Sequence, residues 1–256
     1  MPKPSPKGFE KIQFRESEPY WVVIGYFNTN KFLQQNFKIK EKKVLIICPF
    51  PKGVMASQRL KYEQYFDHWR KNNYEVEVSC FMDQEMWSIV YTKGNYLKKI
   101  LGTIRGYLRR LKDIFRLNSF DIVYVFMWVT PLGTSFFERI FVLLSESLIY
   151  DLEDNAIVGQ ENNLNPLMRF LRGASKIRYL IKKADHVITS SPFLNEQCLK
   201  VNVNKSCTYI SSSIDTDLFI PNNSYRNDRK VVIGWTGTFS SLSYLNLLKR
   251  VFIELS

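Results

Sequence analysis

The sequence has little of what metal sites require. It contains two histidines and four cysteines, and no two cysteines form a CxxC pair. Zinc sites need closely spaced cysteine and histidine ligands, so this spacing argues against one. Scattered free cysteines are also typical of a reduced, cytoplasmic protein. We therefore expect no bound metal and reduced thiols.

Long apolar runs and phosphate-binding signatures are missing too. The opening MPKPSPKGFEK lacks the apolar core of a signal peptide. The most hydrophobic window, residues 122–150, is interrupted by Pro131, Glu138 and Arg139, which excludes a membrane span there. Neither GxGxxG nor GxxxxGKS/T occurs. The absence of both motifs argues against a dinucleotide site and a P-loop.

The composition is that of a folded, basic protein. Hydrophobic residues make up 45% and aromatic residues 15%, which is enough for a buried core. The net charge of +12 favours an anionic partner: nucleic acid, acidic lipid or a phosphorylated substrate. A merely basic cytoplasmic protein is the alternative. The aromatic residues fall at core positions and form no stacking platform, so we expect no nucleic acid partner.

From Lys43 onward, apolar strand-like runs alternate with amphipathic helical segments. This order predicts an α/β fold with a doubly wound, Rossmann-like parallel sheet. Ser57 is predicted to cap a helix over 57–73, and Pro192 to open another. We predict three regions: an N-terminal extension of unknown role (1–42), the Rossmann-like domain (43–222), and the first β-α unit of a truncated second α/β domain (229–256). Strands are predicted at 44–48, 74–81, 121–128, 148–151, 185–190 and 207–210.

A basic amphipathic helix is predicted over residues 96–115. Its apolar residues recur at helical spacing, with cations between them and almost no acidic balance. Such a helix suits an anionic membrane surface, but it would also suit an apolar stripe packed on the sheet with its cations in water. We expect a combination, with the stripe packed inside and a basic rim touching lipid. The rim consists of Lys98, Lys99, Arg105, Arg109, Arg110 and Lys112.

Three loops carry possible chemistry. Gly53 lies between a strand and a helix start, where backbone N–H groups favour an anion, although a plain turn is the alternative. The segment WTGTFSS, residues 235–241, suits a phosphate for the same reason. Acidic residues in YDLEDNAI, residues 150–157, are able to hold sugar hydroxyls or to cap a turn, and a metal is the less favoured use.

Four segments in this order resemble a family-4 type glycosyltransferase with the two-Rossmann-domain (GT-B) architecture. They are VLIICPFPKGVMASQRLKYEQYFDHWRKNNYEVEV, LIYDLEDNAI, ADHVITSSPFLNE and SSSIDTDLFIP. The last is similar to the crossover into the donor domain, and KVVIGWTGTFSSLSYL is similar to that domain's first β-turn-α unit. The likeness covers the N-terminal half of such an enzyme, from about Lys43 to Ser256.

The resemblance implies retaining transfer of a sugar from a nucleotide diphosphate sugar, with no metal and no further cofactor. It implies polysaccharide or lipid-linked acceptors and a peripheral location on the inner face of the cell membrane. It places Gly53, Gly237, Thr238, Ser240 and Ser241 at the donor diphosphate. It places Arg59, Asp151, Asp154 and Ser190 on the acceptor side.

Two departures from the family pattern limit this expectation. The chain has MWVTPLG where many members carry a histidine. In the family, the Arg/Lys pair and the E-x7-E motif belong to a part of the donor domain that would follow Ser256, so the resemblance does not cover them. We therefore expect a chain that is weak or inactive alone, or that works with a separate donor-domain chain. The alternative is a non-catalytic module that binds a membrane or a partner enzyme.

Overall fold

A computed structural model describes residues 41–153, 174–221, 234–235 and 239–255. The predicted extension over 1–42 lies outside these residues except for Glu41 and Lys42. Most of the strand predicted to open the second domain, residues 231–235, also lies outside them. The fold described below is that of the predicted Rossmann-like region.

The described strands form one parallel, six-stranded sheet. Its order is β2-β1-β3-β4-β5-β6, so the chain starts inside the sheet, crosses to β2, and returns past β1 to add the rest on the other side. The strands are β1 (Lys42–Cys48), β2 (Tyr74–Cys80), β3 (Ile122–Phe126), β4 (Leu148–Leu152), β5 (His186–Thr189) and β6 (Cys207–Tyr209).

Helices connect these strands. Short 3-10 segments lie at Glu63–Tyr65 and Leu117–Ser119, and a longer one at Phe239–Leu248. The α-helices of the described residues are α1 (Ala56–Lys61), α2 (Phe66–Lys71), α3 (Gln84–Val90), α4 (Tyr96–Ile114), α5 (Phe136–Leu144), α6 (Ala174–Lys183), α7 (Pro192–Val201) and α8 (Lys249–Leu255).

Both faces of the sheet are covered, as the continuous apolar run of β1 predicts. On one face, Leu45 and Ile47 pack in a core with Phe141 of α5 and Leu180 of α6. On the other face, the alternate residues of β1 join a second core that includes Phe66 of α2. The predicted doubly wound parallel α/β fold is therefore confirmed.

The prediction of a single helix over residues 57–73 is wrong in detail. The chain instead forms α1, a 3-10 turn and α2, with a break at Tyr62, whose φ is −140°. Ser57 lies inside α1, and Met55 occupies the N-cap without a side-chain hydrogen bond. Tyr62 is fully buried and packs edge-on against Tyr124 and Phe126. The helix thus breaks at the residue whose ring packs against β3.

The start of α7 is as predicted. Pro192 occupies the first helical turn, and the Ser191 hydroxyl accepts a hydrogen bond from the Leu194 N–H at 3.2 Å. Proline is tolerated there because its missing N–H would have no partner inside the helix. This cap fixes the path of the chain as it leaves β5.

Candidate functional site

The carboxyl ends of the parallel strands meet at one edge of the sheet, which we call the carboxyl edge. There Lys61 of α1 connects segments that are far apart in the sequence. Its Nζ lies 3.6 Å from Asp151 Oδ1 at the end of β4 and donates to the Ile210 carbonyl, after β6, at 2.6 Å. Both charged side chains are buried. One lysine therefore ties α1, β4 and the segment after β6 together.

Asp151 lies beneath this edge. Its carboxylate is 1% exposed and also accepts a hydrogen bond from the Tyr124 hydroxyl. Burial raises the pKa of Asp151 to about 6, and the attraction of Lys61 opposes that rise. The predicted acceptor-side residue thus acts in this structure as half of a buried ion pair, which holds the edge in place without facing solvent.

The segment after β6, which the resemblance predicts to be a crossover into a donor domain, contacts the same region. Gln64 Nε2 donates to the Ser213 carbonyl at 3.1 Å, and the Tyr65 hydroxyl hydrogen-bonds the Ser213 side chain. These contacts bridge 148 to 149 positions in the sequence. The turn that follows α1 therefore positions the first residues of the crossover.

The loop after β1 contains the predicted donor-side glycine. Gly53 adopts φ +82°, a left-handed conformation that glycine accepts without strain. Its N–H donates to Glu63 Oε2 at 2.9 Å, and Gln58 exchanges two hydrogen bonds with the Phe50 backbone. The N–H predicted to receive a diphosphate is thus held by a carboxylate, which an incoming phosphate would have to replace.

The remaining predicted donor and acceptor residues fall into three groups. Arg59 is exposed on α1, and the Ser190 hydroxyl donates to the Glu153 carbonyl at the carboxyl edge. Ser240 and Ser241 belong to the 3-10 segment Phe239–Leu248. Asp154, Gly237 and Thr238 lie outside the described residues. The structure thus brings Arg59, Asp151 and Ser190 to the end of the sheet where Gly53 also lies.

A second buried ion pair holds the loop after β3, where the family pattern often has a histidine. Lys176 Nζ donates to Thr130 Oγ1 at 2.9 Å and to the Leu132 carbonyl at 2.6 Å. The Thr130 hydroxyl donates to Glu138 Oε1 at 2.9 Å, and burial raises the pKa of Glu138. This network anchors the loop from inside the protein.

Helix α4 approaches the rest of the domain through its glycines. A Cβ at Gly106 would lie 2.6 Å from the Phe81 ring, and one at Gly102 would lie 3.0 Å from the Met86 side chain. Neither glycine interrupts the helix, which runs without a break from Tyr96 to Ile114. The small residues, and not the apolar stripe, therefore form the inward face.

Arg110 completes that inward face and is fully buried. Its guanidinium donates to the carbonyls of Val129 at 2.8 Å and Cys48 at 2.9 Å. It also contacts Ser79 Oγ at 2.9 Å and Asp113 Oδ2 at 3.0 Å. The surface role predicted for Arg110 is therefore wrong, because an arginine pointing at the sheet cannot touch lipid.

The expected inward packing of the apolar stripe is also wrong. Its members are between 44% and 80% exposed, on the side of α4 opposite the glycines. Seven exposed apolar side chains in a row make an uncommonly large apolar patch for a protein surface. We call this row the α4 stripe: Leu97, Ile100, Leu101, Ile104, Leu108, Leu111 and Phe115.

Cations line one edge of the α4 stripe. Lys98, Arg105 and Lys112 recur every seven residues, so they lie on the same side of the helix. Arg105 pairs with Glu85 at 2.7 Å, whereas the salt bridges found among the described residues include neither Lys98 nor Lys112. Two further predicted rim residues have local partners: Lys99 Nζ donates to the Thr92 carbonyl, and Arg109 pairs with Asp83.

Among the residues that the structure describes, no helix is both long enough and apolar enough to cross a membrane. Comparison with models of known protein families finds no match for this chain. Comparison with curated proteins finds no match either.

Proposed function

We propose that this chain is the acceptor-side domain of a sugar-transferring enzyme. It would serve retaining transfer from a nucleotide diphosphate sugar to a polysaccharide or lipid-linked acceptor, with a donor domain supplied by another domain or chain. The observation that supports this proposal is the meeting of all four family-like segments at the carboxyl edge. The Lys61–Asp151 ion pair joins the first two of those segments, and the hydrogen bond of Ser190 to the Glu153 carbonyl adds the third. The hydrogen bonds of Gln64 and Tyr65 to Ser213 add the fourth.

Ligands of open parallel sheets bind outside the carboxyl ends of the strands, where the loops gather. At this edge Arg59 offers an exposed cation, and Ser190 offers a hydroxyl. The buried Lys61–Asp151 pair fixes the loops around them. We therefore assign Arg59 to the acceptor and give Asp151 a positioning role.

A transfer assay tests this proposal. The chain is incubated with membranes and labelled nucleotide sugars, with and without a family-4 type donor domain added in trans or by fusion. We expect labelled lipid or glycan only when both domains are present, and a lower rate for Arg59→Ala. Lys71→Ala removes an exposed cation from the end of α2, next to the opposite edge of the sheet, and should leave the rate unchanged. No transfer and no acceptor binding in any combination would contradict the proposal.

The α4 stripe favours a second function, binding to an acidic membrane surface. Apolar side chains on one face and lysines beside them are the two features that hold an amphipathic helix in a lipid interface. Each cation near an anionic bilayer contributes about 1 kcal/mol. This function is compatible with sugar transfer to a lipid-linked acceptor and also stands without it.

Liposome flotation separates the apolar and electrostatic parts of this binding. We expect Ile104→Glu plus Leu108→Glu to abolish flotation, because charge enters the middle of the α4 stripe. Lys98→Glu plus Lys112→Glu should weaken binding to acidic vesicles by on the order of tenfold or more. Lys71→Glu plus Lys200→Glu, which changes exposed cations on other helices, is the matched control. Equal binding of the unmodified chain to neutral and acidic vesicles would contradict the electrostatic part.

A further inference from the structure

Two thiols face each other at the carboxyl ends of β1 and β2. Cys48 and Cys80 are register partners in the parallel ladder, and their sulfur atoms lie 3.6 Å apart. Neighbouring strands are about 4.8 Å apart, and disulfides span Cα separations of about 4.4–6.8 Å. The backbone therefore already has the spacing that a disulfide needs.

The two thiols differ in their surroundings. Cys48 is fully buried, and its hydrogen bond to Cys80, together with burial, raises its pKa. The same hydrogen bond lowers the pKa of Cys80, and the charge of Arg110 acts in the same direction. Cys80 is therefore the better nucleophile of the two, because the thiolate is the reactive form.

Cys80 is also the less buried of the two thiols. It is half-buried and lines a surface cleft of about 410 Å³. Four cations and three carboxylates share this lining: Lys52, Arg109, Lys112, Arg116, Glu77, Asp83 and Asp113. Arg109 donates to the Cys80 carbonyl at 2.8 Å and holds this wall of the cleft. Partial exposure beside cations is the setting in which cysteines react with oxidants.

We propose that Cys48 and Cys80 form an oxidative modification site, in which a peroxide converts the two thiols into a disulfide. The Cys80 thiolate attacks one peroxide oxygen, which gives a sulfenic acid and releases hydroxide or water. The Cys48 thiol then attacks that sulfur, the new S–S bond forms, and a second water leaves. Two electrons pass from the sulfurs to the peroxide.

This proposal rests neither on the proposed sugar transfer nor on lipid binding. Its product would join the strand ends from which the Gly53 loop departs. The single S–H of Cys48 is able to donate to the Phe50 carbonyl, the Ser79 carbonyl or the Cys80 sulfur, and the disulfide would remove this donor. The consequence of oxidation is thus expected in the loop after β1, and not at the α4 stripe.

The test uses the reduced full chain treated with hydrogen peroxide, then alkylated, digested and analysed by mass spectrometry. We expect a cross-linked pair of peptides containing Cys48 and Cys80, with the loss of two hydrogen atoms. Cys198 and Cys207 serve as internal controls, because burial raises the pKa of Cys198 to about 12 and that of Cys207 to about 11. Both should remain alkylatable thiols.

Two variants identify the order of attack. Cys48→Ser should leave a Cys80 sulfenic acid that a dimedone probe traps, whereas Cys80→Ser should leave Cys48 reduced. Cys207→Ser should form the disulfide as the unmodified chain does. In the untreated chain, Cys80 should alkylate on the order of tenfold faster than Cys207, in line with its greater thiolate fraction. Equal alkylation rates, or peroxide-treated chain that keeps four free thiols, would overturn the proposal.

Discussion

At the scale of single residues, the least expected feature is a fully buried arginine. Arg110 donates to two carbonyls, one hydroxyl and one carboxylate, which belong to four separate parts of the chain. A buried charge is tolerated only when such partners compensate for the lost water. Arg110 therefore links α4 to the ends of β1 and β2 and to the loop after β3 through buried hydrogen bonds.

Replacing Arg110 should be costly because its partners would stay buried without a donor. We expect Arg110→Met to lower the free energy of unfolding by about 3–5 kcal/mol. Lys112→Met, two positions along the same helix and exposed, should change it by less than about 0.5 kcal/mol. Urea unfolding followed by circular dichroism gives both values. Similar losses for the two variants would show that the Arg110 network contributes no special stability.

At the scale of elements, α4 is oriented by its small residues. Gly102 and Gly106 let the helix axis approach Met86 and Phe81, while larger apolar side chains lie on the outer face. The glycine face of this helix therefore contacts the domain, and the exposed α4 stripe is suited to contact with a partner. The glycine face makes the close packing inside the domain, which leaves the α4 stripe to the solvent.

The glycine contacts lead to a graded prediction. Alanine normally stabilises a helix by about 1 kcal/mol relative to glycine. At Gly106 the added methyl group would meet the rigid, buried Phe81 ring, and overpacking of that kind costs about 1–3 kcal/mol. At Gly102 the neighbour is a flexible methionine that is able to move aside.

We therefore expect Gly106→Ala to lower the melting temperature and Gly102→Ala to leave it nearly unchanged or slightly higher. Differential scanning calorimetry of the two variants beside the unmodified chain measures this difference. Stabilisation by both substitutions would mean that α4 does not pack as closely at Phe81 as the structure indicates.

At the scale of the whole molecule, buried ion pairs connect segments that no local pattern links. Lys61 and Asp151 join the first helix to the fourth strand and to the start of the crossover. Lys176 and Glu138 do the same for α6 and the loop after β3. These two buried ion pairs thus hold the loops at the carboxyl edge in position from inside the protein.

The raised pKa of Asp151 makes overall stability depend on pH. Its pKa is about 6 in the folded chain against 3.8 for an unperturbed group, so the folded state holds more protons between these values. This contribution to stability therefore decreases as the pH rises from about 4 to about 6. Each unit of pKa difference corresponds to about 1.4 kcal/mol.

We expect the unmodified chain to lose stability relative to Asp151→Asn across this pH range, as measured by urea unfolding at several pH values. Carbon NMR of the Asp151 carboxyl group measures its titration directly. A relative stability that stays constant or increases from pH 4 to pH 6, or a titration midpoint near 4, would contradict the prediction.

The sequence predicted the framework better than the site. Apolar runs such as that of β1 located the strands, since burial on both faces leaves no room for polar alternation. Ser191 and Pro192 located the start of α7. No local pattern indicates the burial of Lys61 or Arg110, because a lysine or arginine on a helix ordinarily lies in water. Their partners come from distant segments that only the folded chain assembles.

By itself, the sequence determined a parallel α/β sheet with helices on both faces, because apolar periodicity and strand length are local properties. The tertiary structure decided which side of α4 faces inward. An amphipathic pattern shows that a helix has two faces, but close approach through Gly102 and Gly106 and the compensated burial of Arg110 select the inner one. Tertiary structure also decided that Asp151 supports the carboxyl edge from within, since Lys61 and Tyr124 reach it only in the folded chain.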